Sequence, residues 1–103
     1  MSALDAAALD TLIEEATVDA YGDDEQLTGL FTMIEENLAL PFTTIVLGVE
    51  VSVVGVELTE DGRVVARCVR GSARQSIGIL DLPLPASAPE GSQWIEAYRH
   101  WAR

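Results

Sequence analysis

Lysine is absent from this sequence of 103 residues, and no basic side chain of any kind occurs before Arg63. The first 62 residues carry 14 Asp and Glu, whereas residues 63–103 carry 3 acids and all 6 arginines. Formal charges of −14 and +3 on the two parts leave −11 on the chain. Such an acidic excess turns away nucleic acid and anionic membrane surfaces, and it favours a hard cation or a basic partner. Cysteine is nearly missing too. Cys68 alone excludes an intramolecular disulfide framework and any multi-cysteine metal site, and it is expected as a small buried strand residue in a reducing interior. Around the single histidine, His100, neither a nucleophile with an arranged base nor a phosphate-cradling glycine loop can be assembled, so an enzyme is not expected.

Long hydrophobic runs are also lacking. The most apolar stretch, residues 45–58, is interrupted by Gly48, Glu50, Ser52, Gly55 and Glu57, and it falls short of the roughly 18 residues that a membrane span needs. Residues 1–10 have neither the basic start nor the continuous apolar segment of a signal peptide, and the expected address is the cytoplasm.

What is present fits one domain, residues 1–103, with one core. Hydrophobic residues make up 49% and charged residues 22% of the chain, too apolar a mixture for a disordered acidic tail. Leu9, Leu12, Ile13 and Ala16 repeat at helical spacing and predict a helix over residues 3–18. A second helix is expected from Asp23, with Asp23 as its cap and Gln26 reaching back in a capping-box pairing. Leu27, Leu30, Phe31, Ile34 and Leu38 form its apolar face, and Pro41 is expected to end it.

Beyond residue 43 the period changes to that of strands, predicted over 43–46, 49–58, 64–70 and 74–80, with turns at Gly48, Gly62 and Gly71. In the second strand Val49, Val51 and Val53 share a face, but across Val54-Gly55 the apolar phase slips to Val54, Val56 and Leu58. A slip of one residue predicts a bulge near Gly55. Strongly bent strands suit a small barrel. The proline-rich stretch 82–89 is extended, and residues 90–102 return to helix with Trp94, Ile95, Tyr98 and Trp101 on one side as a lid. The expected fold is therefore α+β: two N-terminal helices, a small, strongly bent antiparallel sheet of SH3-like barrel type, and a C-terminal helix.

Calcium takes about six to eight oxygen ligands, and the acidic half has carboxylates to spare. An EF-hand loop starting at Asp19 would need Gly sixth and Glu twelfth, where the chain has Asp24 and Leu30; one starting at Glu57 would have Cys68 twelfth. No EF-hand is present. Asp24 and Glu35 lie eleven residues apart on one helix, about 16 Å along its axis, so its two acidic ends cannot share an ion. Helix capping and solvated charge account for the same carboxylates without any ion. Arg63, Arg67, Arg70 and Arg74 are expected to answer the acidic helices, within the domain or in a partner.

The stretch Thr17-Val-Asp-Ala-Tyr-Gly-Asp-Asp-Glu-Gln26, followed by Ile34-Glu-Glu-Asn-Leu-Ala-Leu-Pro-Phe42, resembles the signature of the small bacterial calcium-binding proteins typified by the cyanobacterial calcium-binding protein CcbP. The valine-rich segment Gly48-Val-Glu-Val-Ser-Val-Val-Gly55, residues 76–83 and the aromatic segment 94–101 extend the likeness over nearly the whole chain. The resemblance implies a small α+β domain with a bent, barrel-like sheet that binds calcium through surface carboxylates in a buffering or sensing role. Its acidic positions fall on Asp19, Asp23, Asp24, Glu25, Glu35 and Glu36. The competing class is an acidic module that binds a basic protein surface, or that self-associates by setting its acidic helices against its own arginine-bearing strands.

Overall fold

A computed structural model describes residues 4–103. Helix α1 (Ala6–Ala16) begins where Asp5, in extended backbone, accepts the Ala8 N–H at 2.9 Å. That bond satisfies one of the free donors of the first turn. The predicted start at residue 3 lies outside the described residues. The stripe Leu9, Leu12, Ile13 and Ala16 packs against the core as its spacing requires.

Helix α2 (Asp23–Asn37) departs from the capping expectation. Its cap is Gly22 at φ 123°, with no side-chain bond, and Asp23 moves into the first turn beside Asp24 and Glu25, where the helix dipole favours acids. Glu25 Oε1 reaches back to the Tyr21 N–H at 3.0 Å. Gln26 is engaged elsewhere, its Oε1 accepting the Trp101 indole N–H at 2.9 Å. A partner 75 positions away thus takes the group that local pattern assigned to the cap. The helix also stops at Asn37, before Pro41 acts: Leu38 is extended, and the Ala39 N–H leaves the helix for the Glu90 carbonyl at 2.8 Å.

Strands β1 (Phe42–Val46), β2 (Val49–Leu58), β3 (Val64–Arg70) and β4 (Ala73–Gly78) form one antiparallel sheet in the order β1-β2-β3-β4. The bulge occurs where the phase slip placed it, since Val53 pairs with Cys68 and Gly55 with Arg67, leaving Val54 extra. Gly55 also makes room for Arg67, whose guanidinium occupies the space a Cβ would take and pairs with Glu57 at 3.3 Å. Strand β4 is shorter than predicted, because residues Ile79–Asp81 turn into a 3-10 helix. At the β2–β3 hairpin the Thr59 hydroxyl donates to Asp61, which lies 3.2 Å from Arg63 Nε; these contacts, the Thr59 bond foremost, hold the Asp61 carboxyl below its usual range.

The sheet is mixed with helices as expected, but it does not close into a barrel. Strands β1 and β4 each pair on one side only. Closure would need a consistent stagger and tilt around the whole ring, and one bulge in one strand supplies only a bend. Helices cover one face instead. Leu27, Leu30 and Ile34 of α2 and Trp94, Ile95 and Tyr98 of α3 (Gln93–Trp101) pack with Val56, Val64 and Ile79 in the main core. The aromatic lid therefore sits on an open sheet and on α2, with the Tyr98 and Trp101 rings stacked at 6.3 Å. A second, smaller cluster of Val53, Ala66 and Cys68 lies under Leu82, held there as Thr44 Oγ1 donates to the Pro83 carbonyl. Besides the Trp101–Gln26 bond, two polar ties fix α3: Arg99 donates to the Leu80 carbonyl at 3.1 Å, and His100 Nε2 meets Asp10 Oδ1 at 3.0 Å. The lone histidine is occupied in joining α1 to α3.

Candidate functional site

All six predicted ligands are exposed: Asp19 in the α1–α2 loop, Asp23, Asp24 and Glu25 in the first turn of α2, Glu35 and Glu36 in its last turn. Among the described residues no three His, Cys, Asp or Glu side chains come together in a group able to hold a metal ion. The structure does bring two of the six to one place. Asp19 and Glu25 line an open concavity of about 240 Å³ with Ala16, Val18, Ala20 and Gly29.

Glycine at position 29 creates this close approach, because any Cβ there would overlap the Ala16 carbonyl oxygen at the end of α1. The loop is shaped by its own bonds, with the Ala20 N–H on the Thr17 carbonyl at 3.0 Å and the Thr17 hydroxyl on the Ile13 carbonyl at 2.7 Å. With Oε1 of Glu25 accepting from Tyr21, its second oxygen is left for another partner. Asp23 and Asp24 are not among the lining residues. Carboxylate oxygens are hard donors of the kind calcium takes, so the fit is good in kind; two carboxylates are few, so a bound ion would keep much of its water.

The arginines do not answer the acidic helices within the domain. Arg63 pairs with Asp61 and Arg67 with Glu57, both on the sheet and its hairpin. Arg70 Nη1 donates to the Glu50 carbonyl at 3.1 Å. Arg74 has no ion pair among the described residues. In the strand register Arg67 falls on the face opposite Ala66 and Cys68, where it meets Glu57, whereas Arg70 shares their face and is engaged by the β2 backbone.

Sequence pattern missed the exposed apolar groups flanking these charges. Tyr21 is 88% and Val18 78% exposed within the acidic loop, and Leu47, in the β1–β2 turn, is 97% exposed. A leucine in a two-residue turn was the available signal. Cys68 is buried as expected, and burial pushes its thiol up from the ordinary value. The thiolate is the reactive form, so alkylation by iodoacetamide at neutral pH should be blocked in the folded protein and appear only with unfolding, as read by mass spectrometry across a urea series.

No helix among the described residues is long and apolar enough to cross a membrane. The chain matches no family model, no curated protein and no solved structure.

Proposed function

We propose that the chain is a binding protein, not an enzyme, that takes calcium weakly at the α1–α2 loop in a cytoplasmic buffering or sensing role. The observation that carries this reading is the convergence of Asp19 and Glu25, from two different elements, on one concavity beside the end of α1. The resemblance of residues 17–26 and 34–42 to the CcbP-type calcium-binding proteins supports it. Asp19 and Glu25 supply the charge, and backbone carbonyls and water complete the shell; Asp23 and Asp24 add attraction at a distance. Glu35 and Glu36, at the far end of α2, belong to no site in this reading.

Few carboxylates mean low affinity, on the order of 10⁻⁴–10⁻³ M by comparison with the weaker calcium modules. Binding to the folded state alone then stabilises it by about 1.4 kcal/mol at tenfold excess over Kd, which for a domain of this size is a rise of about 6–11 °C in Tm. Magnesium at equal ionic strength should give a clearly smaller shift, because it holds its water and demands stricter geometry. Asp19→Asn with Glu25→Gln should abolish the calcium-selective part, while Glu35→Gln with Glu36→Gln should leave it intact. Calorimetric titration and differential scanning of these variants check the claim. Equal small shifts with both ions would reduce the effect to screening of self-repulsion and end it.

A further inference from the structure

We propose that copies of this chain associate head to tail, the acidic α1–α2 loop of one seating in an uncovered apolar hollow at the far end of the next copy's sheet. The hollow exists because the covering elements stop short. Helices α2 and α3 pack over Val56 and Val64, and Leu82 covers Val53, Ala66 and Cys68. Beyond them Val46, Leu47, Val49, Val51 and Ile77 border an open concavity of about 280 Å³. Val49 is 40% exposed and Leu47 almost wholly so. Arg70 and Arg74 stand on the rim, and neither is neutralised by a carboxylate among the described residues.

The α1–α2 loop is the complement of that surface in both respects. It offers two large exposed apolar side chains, Val18 and Tyr21, set among Asp19, Asp23, Asp24 and Glu25. An aromatic anchor entering an apolar pocket, with opposite charges around the rim, is the arrangement that concentrates binding energy at interfaces. Topology keeps the two surfaces apart within one chain. Leu27, in the second turn of α2, lies against Gly62 of the β2–β3 hairpin, so the loop is at that end of the sheet. The hollow lies at the other end, by the β1–β2 and β3–β4 turns. From Val51 at the hollow to Leu58 at the hairpin, β2 separates them by about 23 Å. Unlike patches that meet head to tail leave one of each free on every copy, so the assembly grows past two copies unless the rotation between them closes a ring.

This contact goes beyond cation binding, and its test leaves every carboxylate of the loop in place. Val18→Ser with Tyr21→Ser disables the loop; both residues are exposed, and circular dichroism will verify that the fold is kept. Arg70→Glu with Arg74→Glu disables the hollow. Sedimentation velocity from micromolar to millimolar protein, in chelator-treated buffer at physiological salt, should show the unaltered chain growing continuously in mass with concentration. Each variant alone should associate about tenfold more weakly or not at all. Mixed in equal amounts, the two variants should form a one-to-one pair and nothing larger, since only one working loop and one working hollow can meet. A chain that stays monomeric at millimolar concentration, a closed dimer unaffected by either variant, or a mixture without the pair would overturn the proposal.

Discussion

Gly91→Ala is expected to destabilise the protein by about 3 kcal/mol or more, through backbone strain and overlap together. Gly91 holds φ at 89°, in the region that L side chains avoid, and a Cβ there would run into the Asn37 carbonyl and Leu38 backbone. Neither obstacle is the end of a flexible side chain. Both belong to the C-terminus of α2, which is pinned on this loop by the Ala39 N–H to the Glu90 carbonyl. The Gly91 carbonyl also receives the Trp94 N–H at 3.1 Å as α3 starts, so displacing Gly91 shifts both helices. Urea unfolding should show a lower midpoint with an unchanged slope. Gly48→Ala is the control: φ is 78° there too, but open space surrounds it, and only the strain of about 1–2 kcal/mol is expected. Equal losses at the two positions would mean that contact with α2 contributes nothing.

Trp94→Ala should cost about 3–5 kcal/mol, the range for removing a large aromatic from a core that cannot collapse around the gap. Trp94 is buried with Ile95 and Tyr98 on the face of α3 that meets α2 and the sheet. Helix α3 has 9 residues, too few to persist without packing. Against a total stability of about 5–15 kcal/mol the loss is large enough to depopulate the folded state at moderate temperature. Thermal scans by far-ultraviolet circular dichroism, with calcium absent, will measure it. Trp101→Ala is expected to cost less, since Trp101 is only half-buried and its chief polar tie is the bond to Gln26. A reversed order would place the core's centre nearer the end of the helix.

Much of the architecture was legible because it is written in neighbouring residues. Leu9, Leu12, Ile13 and Ala16 mark a helix by their spacing alone, and the slip between Val53 and Val56 marks a bulge within a few positions. Burial of Cys68 and the apolar side of α3 followed from the same kind of pattern. The candidate site was legible only as a set of acids. Nothing in their spacing separated Asp19 and Glu25, which share a concavity, from Asp23 and Asp24, which do not. That distinction depends on how close α1 comes to α2 at Gly29, a contact between elements.

The kind and order of the elements, the position of the bulge, and the division of charge into an acidic first part and an arginine-bearing second part were determined by the sequence, since period, propensity and charge are properties of short segments. Whether the sheet closes, what Gln26 binds, which carboxylates share a concavity, and the placing of an apolar hollow and an acidic loop at opposite ends of the molecule were decided by the tertiary structure. Each of those depends on groups tens of residues apart competing for the same space or the same hydrogen bond, as Trp101 competes with the helix cap for Gln26.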